Sequence, residues 1–110
     1  MKVHTHNTTN DINIDGTHLQ GSIECSYDKL VDLFGAPELS EGCGDKVDAE
    51  WALRFSLGTV ATIYNWKNGK SYCGPSGTPV ELIRKWNVGG LNERALSRVS
   101  EIIEKGKRIA

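Results

Sequence analysis

The stretch ATIYNWKNGKSYCG, residues 61–74, crowds Tyr64, Trp66 and Tyr72 around Asn65, Asn68 and the amines of Lys67 and Lys70. Flat aromatic faces stack nucleobases, an interaction worth ~1–3 kcal/mol per base in single-strand binders. Carboxamides present paired donors and acceptors to a base edge, and cations hold phosphate. Further along, Trp86 and Asn87 repeat the aromatic and amide pairing beside Arg84 and Lys85, and Arg54 stands upstream. Aromatics, amides and cations interleaved in this way suit a small nucleotide better than an apolar metabolite. Cross-strand packing is an equally natural use for such a stripe, at ~0.2–1 kcal/mol per pair. Burial against another copy or a partner is a third, because exposed aromatic strips mark protein interfaces.

The chain is poorer in groups for catalysis. Its histidines are His4, His6 and His18, and its cysteines Cys25, Cys43 and Cys73. No nucleophile, base and orienter set is evident, and the cysteines contain no C-x-x-C pair of the kind zinc sites use. His4 and His6 have H-x-H spacing but no third ligand beside them. Asp45, Asp48 and Glu50 offer paired carboxylates for proton sharing or a divalent ion, although without the spacing of a calcium loop. A small metal-dependent hydrolase built on them is the minor functional alternative. There is no P-loop or dinucleotide fingerprint, Gly42-Cys43-Gly44 being too short to serve as one, so no cofactor is expected.

The elements that must position these residues are legible in outline. MKVHTHNTTN reads as a flexible polar tail, residues 1–10, ahead of one domain spanning 11–110. Residues 17–25 read as an edge strand with a bulge at Gly21. SYDKLVDLFGAP carries helix punctuation: Ser26 as N-cap, Leu30, Val31 and Phe34 on one stripe, Gly35 as the stop. Residues 38–48 read as a surface loop. In AEWALRFSLGTVATIYNW, Trp51, Leu53 and Phe55 alternate with Glu50, Ala52 and Arg54, which predicts an antiparallel hairpin. Lys67-Asn68-Gly69-Lys70 reads as a tight turn returning SYC as a third strand. The latter half of VELIRKWNV reads as a fourth strand, broken by Gly89-Gly90. A closing helix follows, capped by Asn92, with Ala95, Leu96, Val99, Ile102 and Ile103 on its apolar face before Gly106. The order predicts an α+β fold, a mostly antiparallel sheet of four to five strands with two helices packed on one face.

The register of the main hairpin decides whether the aromatic stripe is displayed. A two-residue loop, Leu57-Gly58, fits neither hairpin turn type well, whereas a three-residue loop, Ser56-Leu57-Gly58, puts glycine at the left-handed position. In that register Trp51 faces Ile63 and Leu53 faces Ala61, and Arg54, Val60, Thr62, Tyr64 and Trp66 share the opposite side. A slip of one residue would send them into the core.

The whole composition is that of an ordinary globular domain, with 110 residues, 38% hydrophobic, 25% charged and a net charge of −1. Long nucleic acid and anionic membranes are not expected partners at that charge. With no long apolar run, no signal-peptide pattern and unpaired cysteines, a cytoplasmic protein is expected.

GTVATIYNWKNGKSYCG, followed after a short loop by KWNVGG, resembles small proteins of tailed bacteriophages over residues 17–105, with no catalytic motif in the shared pattern. Small phage proteins of this type disable host defences. The chain is also similar to viral sponge proteins that sequester the cyclic nucleotide signals of CBASS-type immunity. That resemblance implies a non-enzymatic homo-oligomer in the host bacterial cytoplasm, holding a small cyclic nucleotide with residues such as Tyr64, Trp66, Lys67 and Lys70. The leading alternative it leaves is an inhibitor that binds a host protein through the aromatic face.

Overall fold

The computed structural model describes residues 3–9, 12–39, 46–56 and 58–105. Cys43, Asp45, Leu57 and Gly106 lie outside the described residues, as do Gly42 and Gly44. Strands β1 (Val3–Thr5), β2 (His18–Glu24), β3 (Glu38–Leu39), β4 (Ala49–Phe55), β5 (Val60–Tyr64) and β6 (Lys85–Gly90) form one antiparallel sheet. The strand order is β1-β4-β5-β6-β2, with β3 also paired to β4. Helix α1 (Tyr27–Phe34), the single turn α2 (Lys70–Cys73) and helix α3 (Arg94–Lys105) complete an α+β fold. The six-stranded sheet exceeds the four to five strands expected because β1 and β3 are short additions along one edge of β4.

Alternation in β4 sorts the two faces of the sheet. Trp51, Leu53 and Phe55 are buried, whereas Glu50, Ala52 and Arg54 are half-buried on the other side. Trp51 is opposite Ile63 and Leu53 opposite Ala61, which is the three-residue-loop register. Phe55 N–H donates to the Thr59 carbonyl at 2.8 Å, and Gly58 takes φ of 87° as the left-handed residue that closes the loop. From β6, Trp86 and Val88 join the same core, as do Leu30, Leu33 and Phe34 of α1 and Ala95, Val99 and Ile102 of α3. Helix α1 begins where predicted, Lys29 N–H donating to the Ser26 hydroxyl at 3.2 Å, and ends at Gly35 with φ of 83°. Arg94 N–H donates to the Asn92 side chain at 2.9 Å at the start of α3.

Four sequence expectations are corrected. Glu38–Leu39, within the expected loop 38–48, pairs with Ala49–Glu50 as β3. Val3–Thr5, within the expected flexible tail, pairs with Leu53–Phe55 because the edge of β4 offers unpaired backbone groups that a short polar strand can satisfy. Gly89 and Gly90 extend β6 rather than break the chain. A side chain at either would collide with Thr62 or with Ala95 of α3, so both are close-approach positions within the strand. SYC does not return as a strand: Lys70–Cys73 is a helical turn, followed by 3-10 turns at Gly74–Ser76 and Val80–Leu82. The positive φ values of this excursion fall on Lys67, at 59°, and on Gly74, at 71°, not on Asn68-Gly69. The loop closes on itself instead, Thr78 N–H donating to the Asn68 carbonyl at 2.9 Å beside a parallel bridge between Gly69 and Thr78. Among the described residues no helix is long and apolar enough to cross a membrane.

Candidate functional site

The end of β5 and the loop after it bring the expected aromatic and basic residues together. Tyr64 and Trp66 meet edge to face with ring centroids 6.3 Å apart. The Lys67 amine lies 5.8 Å from the Trp66 ring centre and 5.7 Å from that of Tyr72, within cation–π range of both. Trp66 is 47% exposed and Tyr72 46%, so this is a surface shelf and not a core staple. Lys46, which sequence reasoning missed, is 5.6 Å from the Trp66 ring. Its carbonyl accepts the Lys67 N–H at 2.7 Å, a backbone contact between two loops that leaves no signal in the local sequence.

The shelf is anchored by Asn65. Its Oδ1 accepts from Asp48 N–H at 2.7 Å and Ala49 N–H at 3.1 Å, and its Nδ2 donates to Asp48 Oδ1 at 2.9 Å and Asn68 Oδ1 at 3.0 Å. Every donor and acceptor of the carboxamide is in use and the residue is fully buried, so Asn65 cannot read a ligand; it holds the loop. This corrects its place among the expected binding residues. Trp86 is corrected likewise. It is fully buried, its Nε1 donates to the Cys25 carbonyl at 3.0 Å, and its ring meets that of Trp51 edge-on at 5.4 Å.

The other expected residues divide by position. Asn87 is half-buried directly opposite Tyr64 on the face away from the core. Lys70 is exposed at the start of α2, and Asn68 is engaged by Asn65. Arg54 is opposite Val60 and His4, four residues along β4 from Glu50, or roughly 13 Å at ~3.3 Å per residue. It belongs to the far end of the sheet. Arg84 and Lys85 are exposed at the start of β6, with Lys85 opposite Glu24.

Beside the shelf runs a groove of about 240 Å³, floored by Thr62 and Gly89 and walled by Glu50, Tyr64, Trp66 and the Ile14–His18 segment. A second hollow, of about 220 Å³, lies on the other side of Glu50 and is lined by His6, Ile12, Ile14 and Glu38. Glu50 thus stands between two hollows, and its alternation with Trp51 was the signal that put it on this face. Burial, and next the charge of Glu38 across the strand pair, push its carboxyl above the usual carboxylate range. Burial and the Glu50 charge raise the Tyr64 hydroxyl in turn. Asp48 is taken up by Asn65, and among the described residues no three His, Cys, Asp or Glu side chains are grouped to hold a metal. The Cys25 thiol is buried and raised by that burial, which suits packing and not reactivity.

A raised carboxyl destabilises the fold once it ionises. The contribution of Glu50 is therefore most favourable below the unfolded carboxyl range, near ~4.3, and falls as pH rises through the elevated folded value. Glu38 on β3, Tyr64 on β5, and His6 and His18 from the flanking segments share its surroundings. Glu50→Gln is expected to be at least as stable as the parent at pH 7, with its advantage shrinking toward about pH 3.5, where both side chains are neutral. Urea midpoints at the two pH values check this, and an advantage that persists unchanged at acid pH would assign it to packing.

No family model matches the chain, and no curated protein matches it. The class defined by fold and site is an α+β domain that displays an aromatic and basic shelf beside a shallow groove on an antiparallel sheet.

Proposed function

We propose that this protein binds a small nucleotide on the Trp66 shelf and holds it without chemistry. The observation that carries the proposal is the convergence of Tyr64, Trp66 and Tyr72 with the Lys46 and Lys67 amines next to an open groove. A base stacks on Trp66, and the mobile lysine stems swing from the ring to the phosphates. The likeness to phage sponge proteins gives the binding its context: a homo-oligomer in the host bacterial cytoplasm that withholds a cyclic nucleotide immune signal. Withholding predicts that the ligand is recovered intact when the complex is heated, whereas hydrolysis would return a changed product.

Thermal unfolding against cyclic di- and trinucleotides tests the reading. A ligand at a hundred times its Kd stabilises the folded state by ~2.7 kcal/mol, a readily seen rise in Tm. Trp66→Ala is expected to weaken that ligand by ~1–3 kcal/mol, roughly 5- to 150-fold, while the variant remains folded because the side chain is 47% exposed. A folded variant that binds as well as the parent would remove Trp66 from the site. The exposure of Trp66 and Tyr72 on either side of the Lys67 amine also suits a host protein as partner. A stable protein complex with no shift from any nucleotide would establish that reading instead.

A further inference from the structure

We infer that the base held in the groove is guanine, read by the Glu50 carboxylate accepting from its N1–H and its exocyclic amine. The inference rests on the nucleotide reading above and adds the identity of the base.

Glu50 lines the groove together with Tyr64 and Trp66, and its carboxylate makes no hydrogen bond to another described residue. A half-buried acceptor pair left open beside a stacking ring is matched by a ligand edge that presents two parallel donors. Among the common bases guanine alone has such an edge, N1–H beside the 2-amino group. Adenine puts the N1 lone pair next to its amino donor, and uracil and cytosine likewise turn at least one carbonyl or ring lone pair toward the carboxylate. Each would leave an oxygen facing a lone pair, which costs more than a missing bond.

The charge layout fixes the direction of the ligand. Glu50 lines the groove, and the Lys46 and Lys67 amines are beside Trp66, 5.6 and 5.8 Å from its centre. Phosphates go to the amines and the donor edge of the base goes inward; the reverse places phosphate against Glu50. The same amines argue against a simple cationic guest, because an ammonium on Trp66 would meet two like charges. At about 240 Å³ the groove is smaller than the ~300–1,000 Å³ pockets that enclose drug-sized ligands, which fits one base better than a whole dinucleotide. The rest of a cyclic ligand must then extend over the exposed rings of Trp66 and Tyr72.

Calorimetric titration of the parent, Glu50→Gln and Trp66→Ala proteins with cyclic di-GMP and with cyclic di-AMP tests this. The parent is expected to bind the guanine ligand about 10- to 100-fold tighter, the discrimination typical of a bidentate contact. Glu50→Gln, with one donor and one acceptor, is expected to bring the ratio close to one, chiefly by weakening the guanine ligand. Trp66→Ala should weaken both ligands alike and leave the ratio standing. A parent ratio near one, or a preference undiminished in Glu50→Gln, overturns guanine reading while nucleotide binding stands. Binding of neither ligand by the parent overturns this inference, and together with no thermal shift from any cyclic trinucleotide it overturns the nucleotide reading as well.

Discussion

Trp86→Ala is expected to cost ~3–5 kcal/mol of folding stability, the range for deleting a large buried aromatic. The side chain is fully buried, edge-on to Trp51 at 5.4 Å and stacked with Tyr27 at 6.4 Å. Its Nε1–H donates to the Cys25 carbonyl at 3.0 Å, the junction between β2 and α1. Truncation leaves a cavity among rings that are already in contact, and it leaves that carbonyl without its donor. Against a total of only ~5–15 kcal/mol for such domains, the folded-to-unfolded ratio should fall by about two to four orders of magnitude. Denaturant unfolding of Trp86→Ala beside Trp66→Ala makes the contrast, because the exposed tryptophan should lose only about 1 kcal/mol. Equal losses for the two would contradict the opposite placements of these side chains, one in the core and one on the shelf.

The two tryptophans show how far the sequence could be read. In KWNV, alternation placed Trp86 on a strand but not on a face, because a single strand has two equivalent sides until its register is known. Register was legible in the main hairpin, where the unsuitability of leucine in a two-residue turn selected the loop and with it the display of Tyr64 and Trp66. Ser26 and Asn92 were legible because a cap bonds within its own turn. Tertiary causes were not. Val3–Thr5 becomes a strand only because β4 has a free edge, and Gly89-Gly90 stays in its strand only because Thr62 and Ala95 come close. The Asn68-Gly69 pair looked like a hairpin turn by its own propensity, yet the Asn65 carboxamide binds Asn68 and Asp48 and redirects the chain. Within the site, the aromatics and Lys67 were visible as a cluster. Lys46 was not, since it arrives through a backbone bond between loops that share no periodicity.

Asn65 carries the second large effect, because it couples stability to the site. Asn65→Ala removes four hydrogen bonds at a fully buried position. The Asp48 and Ala49 N–H groups lose their common acceptor, and buried donors left unmade cost ~1–3 kcal/mol each. A net loss of ~2–4 kcal/mol is expected, smaller than the sum because the Asp48 end of the network is only partly buried and water can enter. The loss should not be confined to folding. Asn65 precedes Trp66 and fixes Asn68, so without it the Lys67 backbone is free to leave its left-handed conformation, and the shelf loses its preorganisation. Ligand affinity is therefore expected to fall about tenfold or more even at temperatures where the variant is fully folded. Trp66→Ala, by contrast, should lose affinity with little loss of stability, and Trp86→Ala stability with little change in the affinity of the folded fraction. Unfolding midpoints and titrations on the three variants separate these roles. Full affinity in folded Asn65→Ala would mean that the rings set their own geometry, and the polar knot beneath them would then serve the fold alone.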